Sequence, residues 1–281
     1  MEKRIGGHVS CEGGVLNAIK EAKKIGANTI QIFGASPVQW KAPLPDTKVA
    51  DAFARECKTN NISPIFLHAP YLINLASPKG NLAGMSKTLL EKHLRIADML
   101  GACGVIFHIG SRQERDKKEA QKMVADALAH IIDIVPHGFL LIENSAGAGN
   151  LVGSDPEEIG DIISMVKNKR VGFCLDTAHA FEAGILSDFS KKSVDEFVKK
   201  IDNTIGLEKL LAIHVNDSKT PANSNKDRHE NIGQGLIGEQ NLKTLLTHQK
   251  LFKVPLILEV PGLLGEGPDK ENISIVKSFF E

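Results

Sequence analysis

Six apolar runs of this chain stop at a side chain that can bind a metal. His68 follows Pro64-Ile65-Phe66-Leu67, His108 follows Val105-Ile106-Phe107, and Glu143 follows Leu140-Leu141-Ile142. Asp176 follows Gly172-Phe173-Cys174-Leu175, His214 follows Leu211-Ala212-Ile213, and Glu259 follows Leu256-Ile257-Leu258. Two further pairs lie downstream of such ends. Asp176-Thr177-Ala178-His179 sets a carboxylate and an imidazole three residues apart on a tight turn. Asp227-Arg228-His229 sets another pair two apart, facing one way if the segment is extended. A lone His or Asp at a strand end is more often a cap or a loop hydrogen-bonder, and either pair alone reads as surface residues. Six in six consecutive runs is not explained that way. Nitrogen and oxygen donors without thiolate suit zinc or manganese, and nine of them exceed the needs of one ion. At about four protein contacts per ion, with carboxylate bridging, two or three ions fit.

The elements that must position these residues can be read from the same runs. Eight short apolar segments recur: Ile5–Val9, Thr29–Phe33, Ser63–Leu67, Val105–Phe107, Phe139–Ile142, Val171–Leu175, Leu210–Val215 and Pro255–Leu258. They lack clean alternation, as strands buried on both faces do. Helical spacing fills the gaps. Leu16 to Ile25 ends at Gly26, and the stripe from Leu89 to Leu100 ends at Gly101. Asp155-Pro156-Glu157-Glu158 is a helix start, and Met123 to Val135 and Val194 to Ile205 are helical too. Strands alternating with helices pair in parallel. Eight units favour a closed α/β barrel, a single (β/α)8 TIM-barrel domain over residues 1–281, and no GxGxxG follows the first strand to suggest a dinucleotide-binding sheet. In such a barrel the strand C-termini share one rim, so the six run-ending side chains must converge. Pro221 to Lys226 reads as a polar insertion.

Composition narrows the class. With 281 residues, 42% hydrophobic and 24% charged, the chain can bury a large core. Its 34 basic and 34 acidic residues cancel, so any affinity for nucleic acid must come from local charge. Cys11, Cys57, Cys103 and Cys174 form no CxxC pair, which disfavours a cysteine zinc knuckle or redox motif and fits reduced, mostly buried thiols. The N-terminus MEKRIGGHVS lacks the apolar stretch of a signal peptide, and no run reaches the ~18 apolar residues of a membrane helix. A cytoplasmic monomer without membrane association is expected.

Several ordered segments carry a resemblance to a known family. They are Gly6-Gly7-His8-Val9-Ser10, His68-Ala69-Pro70-Tyr71-Leu72-Ile73-Asn74-Leu75, His108-Ile109-Gly110-Ser111 and Glu143-Asn144-Ser145-Ala146-Gly147-Ala148-Gly149. They continue with Asp176-Thr177-Ala178-His179-Ala180-Phe181, His214-Val215-Asn216-Asp217-Ser218-Lys219, Asp227-Arg228-His229, Gly233-Gln234-Gly235 and Ile257-Leu258-Glu259. In this order they resemble the endonuclease IV family, within the xylose-isomerase-like barrels, over residues 5 to about 262. The resemblance implies three zinc ions. His68, His108 and bridging Glu143 would hold the first, Glu143, Asp176, His214 and Glu259 the second, and His179, Asp227 and His229 the third. Val38 stands before Gln39-Trp40 where the family often has Arg, and Ile109 where it often has Pro.

The implied activity is hydrolysis of the phosphodiester 5′ to an abasic site in duplex DNA, leaving 3′-OH and 5′-deoxyribose phosphate. Glu143 would be the catalytic carboxylate, bridging ions and orienting the attacking hydroxide. Tyr71 and Trp40 would stack near the missing base or merely anchor loops, and Gln39, His8 and Arg228 are further candidate DNA contacts. Lys41, Arg112, Lys219 and Lys226 could meet phosphates or simply be solvated, whereas His93, His130, His137 and His248 read as structural. A divalent-metal sugar isomerase or epimerase on a related barrel is the alternative, and a noncatalytic DNA-binding module a second. The Asp227–His229 pair and Tyr71-Leu72-Ile73-Asn74 speak against the first, and the complete ligand set against the second.

Overall fold

The computed structural model describes residues 2–281. Its strands are β1 (Ile5–His8), β2 (Ile30–Phe33), β3 (Ile65–His68), β4 (Gly104–Phe107), β5 (Phe139–Glu143), β6 (Val171–Asp176), β7 (Leu210–Val215), β8 (Asp217–Ser218), β9 (His229–Glu230) and β10 (Leu256–Leu258). Eight of them close into a parallel barrel in the order β1-β10-β7-β6-β5-β4-β3-β2, and β8 and β9 form a separate antiparallel ribbon. The eight expected strands are the barrel strands, each within two residues of its expected bounds. The helices are α1 (Asn17–Ile25), α2 (Thr47–Thr59), α3 (Gly80–Leu100), α4 (Lys117–Ile134), α5 (Pro156–Val166), α6 (Thr177–Glu182), α7 (Lys191–Thr204), α8 (Glu239–Leu246) and α9 (Lys270–Ser278). None is long and apolar enough to cross a membrane.

Six of the barrel strands, β3 to β7 and β10, are buried on both faces because two different cores claim them. One face of the strands supplies Leu67, Val105, Phe107, Leu140, Ile142, Phe173, Leu175 and Ile213 to the layer under the helices. The other supplies Phe66, Ile106, Leu141, Cys174, Ala212 and Ile257 to a small core inside the barrel. That double claim is why the runs show no alternation. The interior is therefore filled rather than hollow below the rim.

Helix ends follow local chemistry. Asp46, Asp116, Asp155, Ser190 and Asp269 cap α2, α4, α5, α7 and α9 through backbone N–H groups, and Gly26 and Gly101 end α1 and α3 in left-handed conformation. Three helices begin earlier than their apolar stripes indicate. α4 and α7 start at polar turns after their caps, and α3 starts at Gly80, nine residues before Leu89, through a Gly-containing stretch with weak helical preference. Asp176 to His179 is not a tight turn. Asp176 accepts from the His179 N–H at 2.8 Å and caps the short helix α6.

The glycines of the barrel differ in what they can tolerate. A Cβ on Gly6 would fall 1.7 Å from the Thr29 carbonyl oxygen, so β1 and β2 can approach only with glycine there. Gly84, inside α3, has open space around it and an ordinary helical backbone. Gly84→Ala is expected to stabilise by about 0.5–1 kcal/mol, and Gly6→Ala to destabilise by at least about 3 kcal/mol. Denaturant unfolding of both variants checks this. A Gly6→Ala protein as stable as the parent would show that β1 and β2 pack otherwise.

Candidate metal centre

Side chains two apart on a strand share a face. Each ligand candidate at a barrel strand end lies two residues after a member of the interior core: His68 after Phe66, His108 after Ile106, Glu143 after Leu141, Asp176 after Cys174, His214 after Ala212 and Glu259 after Ile257. The apolar layer thus forms a floor, and the six polar side chains point inward above it. His68, Glu143, Asp176 and His214 are buried, while His108 and Glu259 are half-buried towards the opening.

Their polar atoms fall into four overlapping groups, each with its atoms within 4.8 Å of one another. The groups are His68, His108 and Glu143; Glu143, Asp176, His214 and Glu259; Asp176, His179 and His229; and His179, Glu182 and Asp227. All nine sequence candidates are in this array. Glu143 Oε2 lies 3.2 Å from His68 Nε2 and 3.4 Å from His108 Nε2, and its Oε1 lies 3.0 Å from His214 Nδ1. His214 Nδ1 is also 3.1 Å from Glu259 Oε2. Asp227 approaches His179 Nε2 at 3.4 Å and His229 Nε2 at 3.5 Å.

The imidazoles are held from behind. His68 Nδ1 donates to the Ala69 carbonyl at 2.7 Å and His179 Nδ1 to the Asn144 carbonyl at 2.9 Å. A carbonyl only accepts, so these hydrogen bonds put a proton on Nδ1 and turn each Nε2 towards the array. The His179 and His229 Nε2 atoms are 3.3 Å apart, and His68 Nε2 faces a carboxylate oxygen. Acceptors facing acceptors in a buried space repel unless a proton or a metal cation lies between them. That donor chemistry, with nitrogen and oxygen and no sulfur aimed at the gaps, fits zinc.

Residues that the sequence reading passed over stitch the array together. Asn144 Oδ1 accepts from the Asp176 N–H at 2.7 Å, and Asn216 donates to Asp176 Oδ2 at 2.7 Å and accepts from the Glu259 N–H at 2.9 Å. Gln31 reaches His8, His214 and Glu259 from β2. Glu182, wholly buried on α6, accepts through Oε1 from Ser218 at 2.6 Å and from the Arg228 N–H at 3.1 Å, tying the loop that carries Asp227 and His229 to the helix that carries His179. Asp217 accepts from the N–H groups of Gly233, Gly235, Ile237 and Gly238 and fixes the Gly233-Gln234-Gly235 turn. The Pro221 to Lys226 segment is accordingly the tip of the β8–β9 ribbon and delivers ligands, more than a bystander insertion. Asn144 and Asn216 had one available signal, their position directly after or two after a ligand; Gln31 and Glu182 had only their polarity inside apolar segments.

The array opens on one side to a cavity of about 540 Å³ lined by His8, Phe33, Tyr71, Arg228 and Pro261 among others. Tyr71 is 69% exposed at its edge, with its ring 5.8 Å from those of His68 and Phe33. Trp40 is half-buried and packs against the main core, whereas Gln39 and Val38 are exposed on the same loop. His8 sits beside Phe33 with ring centroids 4.4 Å apart. Arg112 bonds to the Arg115 and Asn150 segments, Lys219 pairs with Glu230, and Lys41, Lys226 and Arg228 are exposed. His93 is buried against the Leu89 carbonyl and His248 caps a turn, while His130 and His137 are exposed outside the cavity. Cys57 and Cys174 are buried, Cys11 and Cys103 half-buried, and all four are free thiols.

Electrostatics follow from these contacts. Burial disfavours a charged ring at His179 and His214. At His179 the Asp176, Asp227 and Glu143 carboxylates outweigh it, and at His214 Cys174, Glu259 and Glu143 do, so both are held well above the ordinary imidazole value. Burial would likewise push Glu143 and Glu259 up. His108, His214 and His179 hold Glu143 well below the usual carboxylate value, and His214 and His8 do so for Glu259. His8 itself is lowered, chiefly by burial.

The residues 19–278 match the family model described as xylose isomerase-like TIM barrel. A protein of Thermosipho melanesiensis named probable endonuclease 4 is 41% identical over 262 residues, 92% of each chain. The crystal structure of endonuclease IV from Thermus thermophilus superposes with a TM-score of 0.84 at 29% identity, covering 99% of this chain and 98% of that one. A D-tagatose 3-epimerase-like protein shares the fold at a TM-score of 0.74 and 17% identity, over 99% of this chain and 97% of its own.

The raised imidazoles make metal uptake pH-dependent. In the metal-free chain the surrounding carboxylates favour the protonated rings of His179 and His214. A metal ion that takes those nitrogens displaces the protons, whereas Glu143 and Glu259 are held towards the ionised form. Apparent affinity should therefore climb as pH rises through the raised imidazole range, and zinc added at pH 7 in weak buffer should release protons. Uptake without proton release would show that the rings are neutral in the metal-free chain.

Proposed function

Because the chain belongs to the endonuclease IV family, we propose that it is a zinc-dependent endonuclease that cuts duplex DNA 5′ to an abasic site, leaving 3′-OH and 5′-deoxyribose phosphate. The observation that carries this reading is a continuous polynuclear ligand array, open on one side to a cavity with an exposed tyrosine at its edge. We assign His68, His108 and Glu143 to one ion, Glu143, Asp176, His214 and Glu259 to a second, and His179, Asp227 and His229 to a third. When bound, such ions lower the pKa of water towards neutrality and draw negative charge from a phosphodiester. Glu143, whose two oxygens face different imidazoles, would span ions and orient the attacking water. The rings of His68 and His179 cannot turn away, because their Nδ1 protons are committed to carbonyls. All nine ligands come from one chain, so a monomer suffices, and the cytoplasm is the compartment that suits its work on DNA.

The cavity edge supplies the contacts that select the substrate. Tyr71 is the candidate wedge, since an abasic site lacks one stacking partner and is the cheapest place to distort a duplex. Gln39, His8 and Arg228 are assigned to the DNA contact surface around it, with Trp40 packed beneath as the anchor of the Gln39 loop. Phosphate contacts by the rim lysines and arginines would position the duplex without reading sequence.

A duplex carrying a tetrahydrofuran abasic analogue should be cut 5′ to the analogue by protein containing two to three zinc ions per chain, and not after chelation. Glu143→Gln should abolish cutting while the duplex is still bound. Cutting that survives chelation, or a Glu143→Gln rate within about tenfold of the parent, a barrier change of about 1.4 kcal/mol or less, would overturn the assignment.

Tyr71→Ala should lower the preference for abasic over intact duplex more than it alters the salt dependence of binding, because the ring acts through shape and not charge. Affinities for both duplexes across a salt series measure this. Equal losses on the two duplexes would make Tyr71 a loop anchor.

A further inference from the structure

Gln31 is wholly buried in β2, two residues before Phe33, where the neighbouring strands present the apolar floor. Its amide touches three side chains. Nε2 donates to Glu259 Oε1 and lies 3.0 Å from His8 Nδ1, and Oε1 lies 2.8 Å from His214 Nε2. The chemistry of the partners fixes the orientation of the amide and the nitrogen of His214 that faces it. The Glu259 carboxylate only accepts, so the amide nitrogen must face it and the amide oxygen must face His214. His214 Nε2 therefore carries a proton, and Nδ1 is the nitrogen turned towards Glu143 Oε1 and Glu259 Oε2, 3.0 and 3.1 Å away. His8 Nδ1 lies near both the amide nitrogen, at 3.0 Å, and Glu259 Oε1, at 3.3 Å.

We propose that Gln31 is the positioning residue of this centre: one neutral amide chooses the nitrogen that His214 offers to a metal and holds Glu259 by one oxygen so that the other faces the array. The inference rests on the metal-centre reading above. A primary amide suits the post because it donates and accepts at once without adding charge beside Glu259. An apolar residue of the same length would fill the space and release all three neighbours. Partners of this kind behind metal ligands typically contribute 10- to 100-fold in affinity.

The test uses the full chain, zinc-loaded and metal-free. Nitrogen-15 spectra of the imidazoles in the zinc-loaded parent should show His214 with its proton on Nε2 and none on Nδ1. Gln31→Met, checked for folding by its melting curve, should lose about 10- to 100-fold affinity for one zinc in chelator competition, keep the others, and lose the single Nε2 signature at His214. A zinc-loaded parent with the His214 proton on Nδ1 overturns the proposal, as does a folded Gln31→Met with parental zinc affinity. If Gln31→Met does not fold, the parent spectrum decides alone. A parent that binds no zinc would instead sink the metal-centre reading, and the His214 Nε2 proton would still be read in the metal-free chain.

Discussion

Carboxylates do not stay ionised in a protein interior without compensation, and this chain buries Glu143 and Asp176 almost completely in the mouth of its barrel. Much of the rim answers that one constraint. Imidazoles from β3, β7, α6 and the end of β4 surround Glu143, and the charge of His68, His179 and His214 is favoured in return. The backbone and side-chain hydrogen bonds of Asn144 and Asn216 lock Asp176 and Glu259 in place, so the charges cannot relax towards water. A cluster balanced in this way is satisfied by protons or by metal ions and by little else, which links its stability to its chemistry.

The ligand positions were legible in the sequence because each terminates an apolar run, and strand periodicity puts every one of them two residues above an interior core residue. Eight such runs gave the barrel for the same reason. Helix starts were less legible where the first turns are polar or contain glycine, as in α3, α4 and α7. Asp176 to His179 shows a subtler limit. Its spacing was visible, but whether the chain turns tightly or enters a short helix depends on the cap that Asp176 makes.

Gln31, Glu182 and Asp217 were opaque for a different reason. Their roles consist of hydrogen bonds to partners far along the chain: Gln31 and His214 are 183 residues apart, and Glu182 and Arg228 are 46 apart. No local pattern encodes such a pairing. For Gln31 it exists only once the barrel closes and brings β2 within reach of β7 and β10. A polar residue in the middle of an apolar strand is the trace such roles leave.

The array is unequal in how it is built. Glu143 and His214 are rooted in barrel strands with no side-chain exposure, whereas Asp227 is 60% exposed on a ribbon loop held by the buried oxygen of Glu182. One part of the centre is assembled whenever the barrel is, and the other is completed by an exposed strap that the β8–β9 ladder and hydrogen bonds to α6 hold. An ion held under that strap would trade with the surroundings far more readily than one on the barrel floor. Under metal scarcity the molecule would then empty in sequence, passing through partly loaded forms before the inner ligands let go.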